Sequence, residues 1–388
     1  MNKVFGTYLK GDRIVWLIVI FLSIISLLAI YSSTGSLAYR YQGGNTTYYF
    51  VKQLFFMVAG LTVVFLTHLI HYKYYSPLSK LLLALSVPLL LLTLVFGASL
   101  NQAARWLAVP GLGVTIQTSD IAKMALIMYV ARVLSQRQKE IKDFRQAFLP
   151  LVIPIAIICI LILPANFSTA ALLGLTCWLL MFIGRVNLKY LLGFTGLGLL
   201  LIAGFIVVAL QFKTVNRVAT WKNRIENFIS GDGDGNYQVD QSKIAIATGG
   251  IIGKGPGNST QRNFLPHPYS DFIFAIIVEE YGLLGGVVVL LLYLILLFRA
   301  GVIVKKANRT FPAFLAIGLA LLLVFQAMVN MAVAVNLIPV TGQPLPLVSM
   351  GGTSLFFTSA SFGIIISISR TQSKSELFDG EEEVTDNS

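Results

Sequence analysis

The chain has 388 residues, of which 56% are hydrophobic and only 12% charged, and its formal net charge is +12. A mean hydropathy of +0.78 excludes a water-soluble globule, about a quarter of whose residues are ordinarily charged. The basic excess is dispersed between apolar runs instead of forming one patch, which argues for a membrane surface and against nucleic acid as the partner.

Ten apolar runs are long enough to cross a bilayer, near residues 14–33, 50–70, 77–97, 117–135, 147–164, 166–184, 188–212, 271–299, 311–335 and 350–369. The fold class expected is therefore an all-α polytopic membrane protein. The first run is too long for a signal peptide and lacks a small-residue cleavage site, so it is read as a span. Lys3, Lys10, Arg13, Lys73, Arg132, Lys142, Arg185, Lys189, Arg299, Lys306 and Arg370 fall at the termini and even-numbered gaps, whereas the first odd-numbered gaps hold only Arg40, Lys52 and Arg105. Both termini are then cytoplasmic, and the long loop at about 213–270, between the seventh and eighth spans, lies outside. Residues 1–370 read as one transmembrane domain, followed from 371 by an acidic tail expected to be disordered.

After the third run comes ASLNQAARWLAVPGLGVTIQTSDIAKMAL, in which Pro110, Gly111 and Gly113 break the helical pattern. Arg105 and Trp106 suit the outer interface, where anionic head groups and an aromatic belt lie. Asp120 and Lys123, three apart, share one face of the fourth span. Ionisable residues inside a membrane are functional by default, but a structural ion pair explains these two equally well. Cys159 and Cys177 sit within apolar runs and read as small hydrophobes. His68, His71 and His267 are too scattered for a zinc signature. The link LPANFSTA predicts an antiparallel hairpin, and the glycines of the seventh span, Gly193, Gly196, Gly198 and Gly204, with Gly184 at its approach, predict close helix packing.

The long loop opens with KTVNRVATWKNRIENFI, an amphipathic segment suited to a membrane surface. GDGDGNY resembles the start of a calcium loop but fails at Tyr237 and Lys243, so it reads as a turn. GGIIGKG lacks the spacing of a nucleotide-binding loop, although backbone amides beside Lys254 could hold a diphosphate. Pro266 and Pro268 forbid helix just upstream of the eighth span. Ser270 is then expected as N-cap, with Asp271 in the first turn. At about 100° per residue, Glu279 lies roughly 80° from Asp271 and Glu280 roughly opposite, so the three acids cannot share one small pocket. Glu279 or Glu280 is better suited to capping another helix or pairing with a basic residue. Gln326 and Asn330, four apart in the ninth span, suit interhelical hydrogen bonds. NLIPVTGQPLPLVSMGGTS is uncharged and rich in proline and glycine, a backbone tolerated at membrane depth only when buried in protein or lining a cavity.

Three blocks carry a family resemblance: YQVDQSKIAIATGGIIGKGPGNSTQRNFLPHPYSDFIFAIIVEEYG, IPVTGQPLPLVSMGGTSL and ARWLAVPGLGVTIQTSDIAK. Together, on a ten-span scaffold, they resemble the SEDS proteins of bacterial envelope synthesis, FtsW and RodA, over nearly the whole chain, with the SDFIFA context nearer the FtsW branch. Thr118 and Asp120 stand where the family usually has Pro and Glu, Met350 where Tyr is common, and Asn166 and Ser168 where it has Asp and Gly. The resemblance implies a peptidoglycan glycosyltransferase of the cytoplasmic membrane that polymerises lipid II during septal wall synthesis, with Asp271 as general base. It further implies Arg105, Asp120, Lys123, Gln241, Lys254, Arg262, His267 and Ser349 as substrate-binding residues, with a divalent cation, magnesium or manganese, compatible with the leaving diphosphate. Implied partners are a class B penicillin-binding protein, other divisome proteins and membrane lipid. A lipid II flippase, a RodA-type elongation polymerase and a scaffold for a transpeptidase remain the alternatives.

Overall fold

The computed structural model describes residues 10–41, 43–100, 103–108, 115–211, 228, 237–265 and 268–386. Ten long helices fall on the ten apolar runs, as expected: α1 (Arg13–Ser33), α2 (Thr46–Leu69), α3 (Tyr75–Phe96), α4 (Thr118–Gln136), α5 (Leu149–Ile162), α6 (Phe167–Ile183) and α7 (Leu188–Gln211) come first. After a helix in the long loop, α8 (Tyr237–Gly249), follow α9 (Ile273–Lys305), α10 (Thr310–Ala334) and α11 (Ser354–Asp386). Seven membrane-spanning candidates are long and apolar enough by themselves. The protein is an all-α polytopic membrane protein. The last helix continues to Asp386, where composition predicts a disordered tail. Apart from Phe228 and Tyr237, the amphipathic segment and the GDGDGNY turn lie outside the described residues.

Short polar side chains start several of these helices. The Oδ1 of Asp12 accepts from the amides of Ile14 and Val15, and Asn45 caps α2 through Tyr48. Asn166 caps α6 by accepting from the Thr169 amide at 3.3 Å, so the residue standing where the family has Asp has a structural task here.

One feature was not expected: a three-stranded antiparallel sheet, β1 (Ala98–Leu100), β2 (Ala103–Ala108) and β3 (Thr115–Gln117), between α3 and α4. Trp106 pairs with Ala98 on one side and Gln117 on the other. The run ARWLA is too short to span anything, and its backbone groups are satisfied by neighbouring strands instead of by a helix.

The helices differ in how far they are enclosed. In α10 and the membrane part of α11, 67% and 78% of the apolar stretch is buried, against 22% in α2 and in α3, which identifies the first pair as central and the second as lipid-facing. Close packing at glycine occurs where these layers meet: a Cβ on Gly60 would strike Leu355, and one on Gly318 would lie 2.8 Å from Ile127. The glycines of α7 behave differently from expectation. Gly193, Gly196, Gly198 and Gly204 all face open space, and α7 leaves a lateral apolar cavity of about 490 Å³ against α5 and α6, lined by residues such as Cys159, Phe167, Trp178 and Gly198. A glycine run permits close approach but does not compel it when no partner helix faces it.

Two poles of the bundle can be recognised from their side-chain ties. At one, Thr93 at the end of α3 meets Thr118 at the start of α4 at 2.9 Å, Thr353 before α11 donates to Thr115 O, and Ser242 of α8 donates to Ala334 O at the end of α10. At the other, Arg132 reaches Ser76 O, Ser135 meets Thr310, and Asp12 pairs with Arg299 while its amide donates to Ser369 Oγ.

Candidate functional site

The first of these poles also holds Asp271. Residues 268–272 form a turn, and α9 begins only at Ile273, with Phe272 as N-cap (φ −114°, ψ 19°). Ser270 is therefore not the cap and Asp271 precedes the first helical turn, two residues later than the expected start. The reason lies in the acceptors. Phe272 O is taken by the helix, through Ala275 N at 3.0 Å, but the three preceding carbonyls are taken from outside it. Tyr269 O accepts from Met350 N at 2.9 Å, Ser270 O from Ser349 Oγ at 2.6 Å, and Asp271 O from Asn330 Nδ2 at 2.8 Å.

Beneath the turn lies a small apolar cluster of Val239 from α8, Leu265, Phe272, Ile276 and Val333 from α10. Phe272 is only 1% exposed, and burying such a ring stabilises its anchorage by about 1.5–3 kcal/mol. The adjoining Asp271 side chain is left partly exposed, with Ser270 Oγ donating to its Oδ1 at 3.0 Å.

The other acids of this pole are enclosed. Glu279, fully buried, accepts from Lys254 Nζ, Ser259 Oγ, the amide and hydroxyl of Thr260, and the Gln261 amide. Glu280 accepts from Ser32 Oγ and the Ser259 amide, and Arg262 Nη1 donates to both oxygens of Ser32 at 3.1 Å. The expected pairing with a basic residue holds for Glu279, which meets Lys254, whereas Glu280 accepts from a hydroxyl and a backbone amide. Lys254 and Arg262 are thus engaged by protein groups at the heart of this cluster.

The glycine-rich loop is equally committed. Gly282 interrupts α9 with φ 70° and ψ −173°, and the loop backbone fills the break: Lys254 N donates to Glu279 O, Gly255 N to Glu280 O, and Leu283 N to Gly250 O. A Cβ on Gly282 would overlap the Ile251 carbonyl, so only glycine meets both the positive φ and the contact. The amides expected to face a diphosphate therefore bond to the helix.

Asp120 and Lys123 form a buried ion pair at 2.8 Å, and Lys123 Nζ also reaches Gln326 Oε1 at 3.4 Å. Beside them is a cavity of about 20 Å³, lined in part by Ser354, Thr358 and Ser361; it is large enough for one water. Asp120 Oδ2, which has no protein hydrogen-bond partner, is the acceptor such a water would satisfy. Gln326 in turn donates to Pro344 O, so the pair is linked to the same 343–350 segment that grips the Asp271 turn.

Of the remaining expected site residues, Gln241 lies partly buried on α8, and Ser349 is buried, with its hydroxyl engaged by Ser270 O and Leu345 N. The backbone of Arg105 lies in β2, while its side chain and all of His267 lie outside the described residues. Sequence reasoning missed Ser32, Ser259 and Gln343, whose Nε2 donates to Thr169 Oγ1 at 2.6 Å. The legible hint was that polar residues in apolar surroundings need partners. Among the described residues no three His, Cys, Asp or Glu side chains gather into a cluster that could hold a metal ion.

A profile of the FtsW/RodA/SpoVE family, described as cell cycle proteins, matches residues 12–374. The stage V sporulation protein E of Bacillus subtilis is 33% identical over 92% of this chain and 97% of its own. A probable peptidoglycan glycosyltransferase FtsW of Trichlorobacter lovleyi is 32% identical over 92% and 93%. Among solved structures, a chain of a peptidoglycan synthase complex superposes with a TM-score of 0.73 at 24% identity, covering 93% of this chain and 98% of that one. The rod shape determining protein RodA of Thermus thermophilus gives 0.65 at 24% identity, over 94% and 98%.

Proposed function

The chain belongs to the FtsW/RodA/SpoVE family, and from that premise we propose that it is a peptidoglycan glycosyltransferase of the bacterial cytoplasmic membrane, with Asp271 as its general base. The observation that carries the assignment of the base is a contrast among acids. At this pole Asp120, Glu279 and Glu280 are buried in internal contacts, whereas the Asp271 carboxyl is partly exposed on a braced turn. In the proposed reaction, Asp271 accepts the proton of a sugar 4-hydroxyl as that oxygen bonds to the anomeric carbon of a second lipid-linked sugar. The bond from that carbon to the diphosphate breaks, and undecaprenyl diphosphate leaves with the electron pair. Direct displacement inverts the anomeric carbon and needs no enzyme nucleophile.

The substrate proposed is lipid II, with Arg105, Gln241 and His267 as its contacts. Lys254, Arg262 and the Asp120–Lys123 pair, each engaged by protein groups, support the site from behind. A role at the septum, with a class B penicillin-binding protein and other divisome proteins as partners, is supported by the SDFIFA context and the FtsW relatives, and both termini are proposed to be cytoplasmic. The test is glycan polymerisation by purified protein from lipid II. Asp271→Asn should be inserted and folded yet form no chains, and chain formation by that variant would remove Asp271 as the base.

A further inference from the structure

Three successive carbonyls, those of Tyr269, Ser270 and Asp271, are each held by a donor distant in sequence, two of the three being side chains. The donors come from α10 and the segment 343–350, which is itself fixed at four of its own carbonyls. Gln343 O accepts from Asn330, Pro344 O from Gln326, Pro346 O from Tyr293 of α9, and Val348 O from Ser26 of α1. Irregular backbone inside a bundle needs such satisfaction to exist at all. Here the same groups also register the segment against three helices, so it is a rigid jig, and Asn330 Nδ2 belongs to both halves because it bonds Gln343 O and Asp271 O at 2.8 Å each.

We infer that Asn330 and Ser349 are positioning residues that set the place of the Asp271 carboxylate by gripping the backbone beside it. The inference rests on the reading of Asp271 as the base. A donor on the carbonyl beside the acid fixes the backbone from which its side chain starts, in addition to the Ser270 hydroxyl on the carboxylate itself. A misplacement of about 1 Å can cost about a hundredfold in rate, so small buried side chains that grip the backbone beside the base can govern turnover.

Purified protein in lipid, assayed for polymerisation of lipid II, tests this with Asn330→Ala, Ser349→Ala and Ser349→Thr beside Asp271→Asn. The expected result is a fall in kcat of about tenfold in each alanine variant, with KM within about twofold, and recovery in Ser349→Thr, which keeps the hydroxyl donor. Wild-type kcat in both alanine variants, losses confined to KM, or a Ser349→Thr variant as slow as Ser349→Ala would overturn it. If Asn330→Ala fails to fold, Ser349→Ala decides alone. If neither folds, the two groups belong to the global fold and the inference falls. An inactive Asp271→Asn beside unimpaired alanine variants defeats the positioning role only, while an active Asp271→Asn defeats the base.

Discussion

Asp120 and Asp271 lie at the same pole, one in the first turn of α4 and the other just before α9, yet the protein treats them in opposite ways. Asp120 is 3% exposed, and its charge is matched by Lys123 at 2.8 Å. Asp271 is partly exposed; Asn330 holds its carbonyl, Ser349 holds that of Ser270, and the Ser270 hydroxyl donates to its carboxylate. Removing either member of a buried ion pair leaves an uncompensated charge in a low-dielectric interior. The contrast separates an acid paired within its own helix from one set on a braced turn, although both occur beside helix starts.

The comparison can be broken most decisively at Asp271. Exchange for Asn should lower polymerisation by about 10²–10⁴-fold, the usual range for a general base, with the melting temperature in detergent little changed. Lys123→Met should do the reverse, costing about 3–5 kcal/mol of stability by stranding Asp120. Adding Asp120→Asn should recover much of that loss in the same thermal assay, and a double variant no more stable than Lys123→Met would refute the ion-pair account. Gly282→Ala is expected to cost about 1–3 kcal/mol through its positive φ, and more because its Cβ meets the Ile251 carbonyl, with increased proteolysis in 249–262 as the readout. The smallest effect belongs to the opposite pole: Asp12→Ala, which loses a cap and the Arg299 pair, should cost about 1–2 kcal/mol in the melt and leave polymerisation within about twofold.

The helices were legible because hydrocarbon imposes one requirement, an apolar run of sufficient length with its backbone satisfied internally. Polar ties at long sequence separation were much less so. The pairing of Asp120 with Lys123 could be read from a spacing of three, and the inward turn of Gln326 and Asn330 from a spacing of four. The grip of Ser349 on Ser270 O, 79 residues away, leaves no periodic trace. That grip also explains the misplaced helix start, since Ser270 has a capping side chain but its carbonyl is taken by the other segment. Lys254 is a related case. A lysine among glycines suggests an anion site, and the anion present is Glu279 of the same chain. The open glycines of α7 and the strands around Trp106 depend on which neighbours happen to face them, and composition does not carry that information.

The break at Gly282 makes the loop between α7 and α9 a structural member of the helix it leans on, since backbone groups at 250, 254 and 255 complete the ladder at 279, 280 and 283. Anyone exchanging this loop with that of a relative is therefore moving half of a joint. The transferable module is 249–284, and a swap that stops at the helix boundary would pair a foreign loop with a notch cut for another.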